Sequence, residues 1–319
     1  MKIYRKLADL PAPDGPVVAT IGNFDGVHLG HQGVIAEVIE RARFLGGSSL
    51  VITFDPHPTR VLRPDAATQL ITPTPRKLEL LAATGIDATL VLPFTQELSH
   101  TSARDFAQNV LVGAVHITEI HEGDNFRFGY HAEAGIHSLE DLGREFGFQT
   151  TIYAPHTLRS GPVSSSRIRA LIEKGDISAA RVLLGRPFSI DSTPASGRGY
   201  GKKYAVPTIN LASYPELLPA HGVYITTLTV GQGPEAETFD GVTNVGNRPT
   251  FGVDSFAVES HLLNFHPIDL TDRTPLRLGF LHRLRDEQRF PTTAALRAQI
   301  TRDVASAQRY FALCRLLTS

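Results

Sequence analysis

The sequence predicts an α/β chain in two parts. The first is a parallel sheet covered by helices, and the second a small antiparallel β-barrel with a terminal helix. Three observations predict this. Apolar, β-branched runs alternate with helical patterns through the first half, as in βαβ units. Short strand-like runs separated by Gly and Pro fill most of the second half. The chain has 319 residues, 42% hydrophobic and 20% charged, an ordinary globular composition with length for two domains.

In order, the strand-like runs of the first half are Val17–Ile21, Leu50–Phe54, Thr89–Leu92, Ile117–His121 and Thr150–Tyr153. Helical patterns lie between them near 31–45, 76–83, 103–112 and 138–146. The character changes at Leu184-Gly185-Arg186-Pro187, which sets the expected domains at 1–186 and 187–319. Beyond it, Gly222–Val230, Val242–Gly246 and Ala257–Leu263 read as strands. The end is helical: Leu296, Ile300, Val304, Ala307 and Phe311 form one apolar stripe after Pro291-Thr292-Thr293.

The densest chemical signal is Gly22-Asn23-Phe24-Asp25-Gly26-Val27-His28-Leu29-Gly30-His31. A strand ends, a glycine-rich turn follows and a helix begins. A helix N-terminus presents unpaired N–H groups and the positive end of its dipole, which favour anions. Gly22, Gly26 and Gly30 let the backbone approach a bulky ligand. His28 and His31 add donors that carry positive charge beside a phosphate. The chemistry this suits is reaction at a nucleotide phosphate; a metal pair or two solvated loop histidines is the alternative. Neither a Walker-type Gly-x-x-x-x-Gly-Lys-Ser/Thr nor a Gly-x-Gly-x-x-Gly follows this strand.

In parallel sheets ligands bind beyond the carboxyl ends of the strands. Asp55-Pro56-His57-Pro58 and Gly123-Asp124-Asn125-Phe126-Arg127-Phe128-Gly129 leave other strands at that end, so three loops should converge on one crevice. Further on, Ser164, Ser165 and Ser166 precede an apolar-periodic run and are N-cap candidates. Arg167 and Arg169 follow in the first turns, where a cation is unfavourable for the helix dipole. An anionic ligand would offset that cost; two solvated arginines would be the plainer reading.

Net charge is −1 with no long basic run, which argues against nucleic-acid binding. No stretch reaches the length of a membrane span, and no apolar leader follows Met1. The single cysteine, Cys314, has no partner for an internal disulfide. A cytoplasmic enzyme without nucleic-acid, membrane or protein partners is expected.

These residues resemble the prokaryotic bifunctional riboflavin kinase/FAD synthetases. In the first half the likeness rests on Gly22–His31, Thr53-Phe54-Asp55-Pro56-His57-Pro58, Phe126-Arg127-Phe128-Gly129 and Ser164-Ser165-Ser166-Arg167-Ile168-Arg169. In the second it rests on Pro207-Thr208-Ile209-Asn210, Asn244-Val245-Gly246-Asn247-Arg248-Pro249-Thr250 and Glu259-Ser260-His261-Leu262-Leu263-Asn264-Phe265. The stretches run from about residue 15 to 310 in the family's order.

The resemblance implies a Rossmann-like nucleotidyltransferase domain followed by a kinase barrel, and two reactions. Riboflavin is phosphorylated to FMN by ATP, and FMN is adenylylated to FAD with release of pyrophosphate. Positioning and charge neutralisation supply most of the catalysis in such chemistry. By this resemblance His28 and His31 stabilise the departing pyrophosphate. Ser164, Ser165 and Arg167 bind phosphate, and Gly22, Phe24 and Gly26 shape the ATP turn. Asn125 and Arg127 line the flavin or nucleotide side. In the kinase half Glu259 is the general base, and Thr208 and Asn210 hold Mg²⁺ on ATP. Gly201 and Lys202 belong to a phosphate-covering flap, Gly199–Val206. That flap departs from the family: Lys202 stands where arginine is usual and Ala205 where glycine is. A lysine is not equivalent to arginine's planar fork. The competing functional readings are an adenylyltransferase for another phosphate acceptor with a flavin-sensing second domain, and a non-catalytic flavin-binding module.

Overall fold

The computed structural model describes residues 1–195, 208–248 and 255–318. Internal contacts divide the chain into two units, Met1–Ser165 and Ser166–Ser319.

The strands of the first unit are β1 (Lys2–Tyr4), β2 (Val17–Ile21), β3 (Ser48–Asp55), β4 (Ala88–Pro93), β5 (Ile117–Gly123), β6 (Arg127–Phe128), β7 (Ala134–Gly135) and β8 (Gln149–Tyr153). Six of them form one sheet in the order β1-β4-β3-β2-β5-β8. Every ladder in it is parallel. The chain builds outward from β2 to β3 and β4, then crosses to β5 on the other side. The topological switch point therefore lies between β2 and β5.

Both faces of this sheet are covered, which is why β2 is apolar almost throughout. On one face Ala19, Ile21, Ile52 and Leu90 pack with Phe106, Leu111, Ile136 and Leu139. On the other, Val18, Val51 and Val91 pack with Ile35 and Val38 of α1 (Leu29–Phe44) and Leu78 and Leu81 of α2 (Thr74–Ala82). Helix α3 (Ile136–Phe146) ends at Gly147 in the left-handed conformation.

Two features differ from the sequence expectation. Strand β1 lies at the sheet edge and is partly exposed; three residues are too few to show a periodic pattern. The helix expected over 103–112 is a single turn, Ala103–Asp105, followed by a π-helical stretch, Phe106–Val112. Apolar periodicity does not separate a 3.6-residue turn from a wider one over so short a span.

The second unit opens with helices α4 (Ser165–Glu173, which begins at the unit boundary) and α5 (Ile177–Leu184). Strands β9 (Phe188–Ser192), β10 (Thr208–Asn210), β11 (Gly222–Val230), β12 (Glu237–Arg248), β13 (Ser255–Leu262) and β14 (Leu276–Arg285) form an antiparallel sheet, in the order β10-β13-β12-β11-β14-β9. Its edges meet: Ala195 N donates to Asn210 O and Ala212 N to Thr193 O, each at 2.8 Å, so the sheet curls into a small barrel. Helix α6 (Thr293–Thr318) lays Ala307 and Phe311 on Val223, Ile225 and Val242.

Helices α4 and α5 pack with this barrel. Ser178 Oγ lies 3.1 Å from His282 Nδ1, and Arg181 donates to Tyr310 Oη at 3.1 Å. Ile172, Ile177, Leu183 and Leu184 are buried. The contact boundary consequently falls at Ser165/Ser166, ahead of the compositional change near residue 186.

Candidate active sites

The loop after β2 is held by residues remote in sequence. The buried Asp25 carboxylate accepts from Thr72 N at 2.9 Å and Ile71 N at 3.1 Å. Gly26 N donates to Thr72 Oγ1 at 2.8 Å. Gly26 has φ 85°, a conformation natural for glycine, but Phe24 (49°) and Val27 (38°) also have positive φ. That is backbone strain at a functional loop, sustained by the contacts around it.

Lys77, from α2, is buried beneath the same loop. Its Nζ donates to Asn23 O (3.2 Å), Thr53 Oγ1 (3.1 Å) and Phe54 O (3.2 Å), joining the β2 loop to the end of β3. Burial lowers its pKa from the ordinary lysine value; Asp25 and Asp55 oppose that shift.

His28 is the N-cap of α1. Its Nδ1 accepts from His31 N at 3.2 Å. In the neutral ring the proton is therefore on Nε2, the nitrogen that remains a donor. The two imidazoles stack, with centroids 3.6 Å apart and planes at 14°. Glycine at position 30 leaves room beside this pair: a Cβ there would come to 3.3 Å from the His28 ring, a tight contact. Phe24 packs on His31 at 5.0 Å. Ser165, at the start of α4, donates to Asp25 O at 2.8 Å. Thus Gly22, Phe24, Gly26, His28, His31 and Ser165 share one loop system. Ser164 precedes Ser165, and Arg167 lies on the first turn of α4, on the second-unit side of the boundary.

Beside this loop lies a cavity of about 920 Å³ at the carboxyl ends of β2, β3 and β5. Gly22 and Asn23 line one side; Asn125 and Arg127 also line it. The Arg127 guanidinium donates to Ala132 O at 2.8 and 3.1 Å, holding the loop that follows β6. The aromatic lining is what sequence reading did not single out. Phe54 and Phe94 meet edge to face at 5.5 Å, and Phe126 and Phe128 stack at 5.3 Å. Aromatics at successive strand ends are a usable signal, but core phenylalanines give the same pattern.

In the second unit the predicted residues meet through strand register. Thr208 and Asn210 alternate on β10 and so share a face. Across the antiparallel ladder Asn210 pairs with Glu259 and Thr208 with His261. Glu259 also pairs with Asn244 of β12. Thr208 Oγ1 lies 3.1 Å from His261 Nδ1, and burial lowers the His261 pKa. Glu259, Asn210 and Asn244 are half-buried, while their neighbours Val258, Ser260, Ile209 and Val245 are buried. The arrangement presents a hydroxyl, two carboxamides and a carboxyl together on one rim. Asn244 stands at the level of Glu259 and Asn210, and His261 at the level of Thr208; the sequence showed only the motifs that contain them. Gly201, Lys202 and the rest of the expected flap lie outside the described residues.

A strained glycine loop at a helix N-terminus near an aromatic cavity lies in the first unit, and a carboxyl beside hydroxyl and carboxamide groups on a barrel strand face lies in the second. The family model for FAD synthetase matches residues 11–167, and that for riboflavin kinase matches 184–311. A Pseudomonas fluorescens protein described as a bifunctional riboflavin kinase/FMN adenylyltransferase is 35% identical over 309 residues, covering 97% of each chain. One of the same description from Escherichia coli strain K12 is 32% identical over 317 residues, covering 99% of each. A solved Streptococcus pneumoniae structure, described as a macrolide-efflux protein, superimposes with a TM-score of 0.83 at 24% identity, over 96% of this chain and 98% of that one. At that identity the likeness bears on the fold alone. With both family models matched in order along nearly the whole chain, this protein belongs to the bifunctional riboflavin kinase/FMN adenylyltransferase family.

Proposed function

We propose that each of the two family activities resides in its own unit, adenylylation of FMN at the β2 loop and phosphorylation of riboflavin on the rim of β10 and β13. The carrying observation is His28, capping α1 and stacked on His31 at the end of a loop whose first residues, Gly22 and Asn23, line an aromatic cavity.

For FAD formation, an FMN phosphate oxygen attacks the α-phosphorus of ATP, and the bond to pyrophosphate breaks. That nucleophile needs no strong base, so the demands are alignment and stabilisation of the leaving group. The N-terminus of α1 and the His28 and His31 donors supply the stabilisation. Ser164 and Ser165 serve as a second phosphate-binding element. The cavity's aromatic walls suit a flat isoalloxazine ring, with Asn125 supplying a polar contact. Arg127 shapes the same wall by holding Ala132 O.

For FMN formation, the primary hydroxyl of riboflavin attacks the γ-phosphorus of ATP, and the bond to the β-phosphate oxygen breaks to release ADP. Glu259 accepts the hydroxyl proton. Mg²⁺ is the hard cation that a hydroxyl and a carboxamide oxygen on one strand face fit, so Thr208 and Asn210 would hold it. When bound, it neutralises charge on the ATP phosphates. Gly201 and Lys202 would cover those phosphates. The single cysteine fits a cytoplasmic setting.

Incubation with ATP and Mg²⁺, from either riboflavin or FMN, followed by separation of the flavins, tests both assignments. H28A should stop the chain at FMN. E259Q should form FAD only from supplied FMN. The opposite pattern would exchange the two sites, and no turnover from either flavin would leave a binding module.

A further inference from the structure

The β2–β5 ladder stops short of the strand ends. Its last pair is Ala19 with Ile120, yet β2 runs on to Ile21 and β5 to Gly123. On the β3 side the backbone ladder continues through Ile21 with Ile52, and Gly22 N donates to Ile52 O at 3.0 Å. On the β5 side Ile21 N has a side-chain acceptor instead: it donates to Glu122 Oε1 at 2.6 Å. Thr20 Oγ1 donates to the same oxygen at 3.3 Å. Glu122 is 4% exposed.

A carboxyl thus stands where backbone pairing would otherwise draw the two strands together. Just past it, Ile21 at the end of one strand with Gly22 and Asn23 after it, and Asn125 and Phe126 after the other, line the cavity. We propose that Glu122 is a positioning residue for FMN adenylylation, holding the switch point open and fixing the Ile21-Gly22-Asn23 backbone against which FMN binds. The inference rests on the assignment of that cavity to FMN.

The surroundings of Glu122 are apolar. By strand alternation it shares a face with Ile120, against Phe106 and Leu139. Glu119 and His121 face the other way, where Arg41 and Tyr153 engage them. The charges of α3 pair at the surface, His137 with Glu140, Arg144 with Asp141 and Glu145 with Arg104. Burial accordingly raises the Glu122 pKa well above the usual carboxylate range, opposed only by the Ile21 and Thr20 hydrogen bonds. The role needs an acceptor oxygen of this reach and not a negative charge.

Glutamine keeps that oxygen and alanine removes it. In the full chain, E122A should raise the KM for FMN in FAD synthesis by about tenfold or more, with a smaller effect on the KM for ATP. E122Q should restore both to within about threefold of the wild type. Riboflavin phosphorylation, in the other unit, should be unchanged in both variants. E122A with a wild-type KM for FMN overturns the proposal; so does E122Q impaired as severely as E122A, since the charge would then be what matters. H28A run in parallel separates the two readings. If H28A collapses FAD synthesis and E122A does not, only the role of Glu122 fails. If H28A is harmless, the cavity assignment fails and this inference with it.

Discussion

In the first unit the proposed catalytic residues sit on one continuous stretch, the loop after β2 and the first turn of α1, and that loop takes its shape from clamps distant in sequence: Thr72, Lys77, Glu122 and Ser165. The corresponding residues of the second unit sit on three strands, and backbone register alone brings Asn210, Glu259 and Asn244 to one level. A loop site concentrates motif in the sequence but spreads its support. A strand-face site spreads its motif and keeps its support in the backbone ladder. Loss of one clamp should therefore disturb the first site, whereas the second should respond mainly to loss of the reacting groups themselves.

The largest expected effects cut across this contrast symmetrically. H28A should lower FAD synthesis from FMN by ~10²–10³ while leaving riboflavin phosphorylation within a few-fold, because one charge-stabilising donor is lost. E259Q should lower riboflavin phosphorylation by ~10²–10⁴ and spare adenylylation, because the proton acceptor is lost. Steady-state rates with each flavin check both. If either variant disables both reactions, the two sites are not independent.

Next comes a clamp. K77M removes three donor contacts and leaves Asn23 O and Phe54 O without their ammonium partner. It should destabilise the first unit by about 1–3 kcal/mol and reduce FAD synthesis, with kinase activity intact. Calorimetry paired with both assays measures this. A K77M chain with normal FAD synthesis would mean that the loop holds itself.

A smaller effect is expected at the oxygen ligands. T208A and N210A should weaken kinase use of Mg²⁺–ATP by about 1–2 kcal/mol each and recover in part at higher Mg²⁺, since each removes one neutral hydrogen-bonding or ligating oxygen. Titration of kinase rate against Mg²⁺ distinguishes this from loss of a base, which added metal would not restore.

Two further measurements address stability. A fragment starting at 187 lacks α4 and α5, and with them the buried Ile172, Ile177, Leu183 and Leu184. It should melt well below a fragment starting at 166, although both carry the kinase residues. Equal melting would move the working boundary back to the compositional change. For Glu122, the folded pKa lies above the unfolded one, mainly through burial. As pH rises past the unfolded carboxylate value, the unfolded chain releases a proton that the folded chain keeps. Stability then falls with rising pH until the folded group also ionises. E122Q lacks this dependence, so its melting advantage over the wild type should widen from acidic towards neutral pH. A constant difference would mean that Glu122 does not titrate between the two states in that range.

The fold was largely legible because its strongest signals are local. Val17–Ile21 and Leu50–Phe54 are apolar except for one threonine each, as a strand covered on both faces tends to be, and His28 follows a glycine turn at a helix start. Strand β1 was not legible, having only three residues at an exposed edge. Nor was the π-helical turn at Phe106–Val112, whose apolar spacing also suits an α-helix. At the first site the histidines and glycines could be read, but Lys77 and Glu122 could not. A buried lysine and a buried glutamate look like surface residues in a sequence, since burial is a property of what packs around them.

The sequence by itself determined the alternation of the main strands and helices in the first unit, the two sets of motifs and the family, because periodicity, turn chemistry and residue spacing are written along the chain; it did not show Ile177–Leu184, Phe188–Ser192 or Leu276–Arg285. Only the tertiary structure decided that α4 and α5 pack with the barrel, that aromatic side chains from several strand ends and loops form one cavity, and that Glu122 meets Ile21 N where the ladder ends. Those outcomes depend on contacts between residues as far apart as 129 positions. Their cause is the competition of polar and apolar groups for partners in the packed interior, which no local stretch of sequence contains.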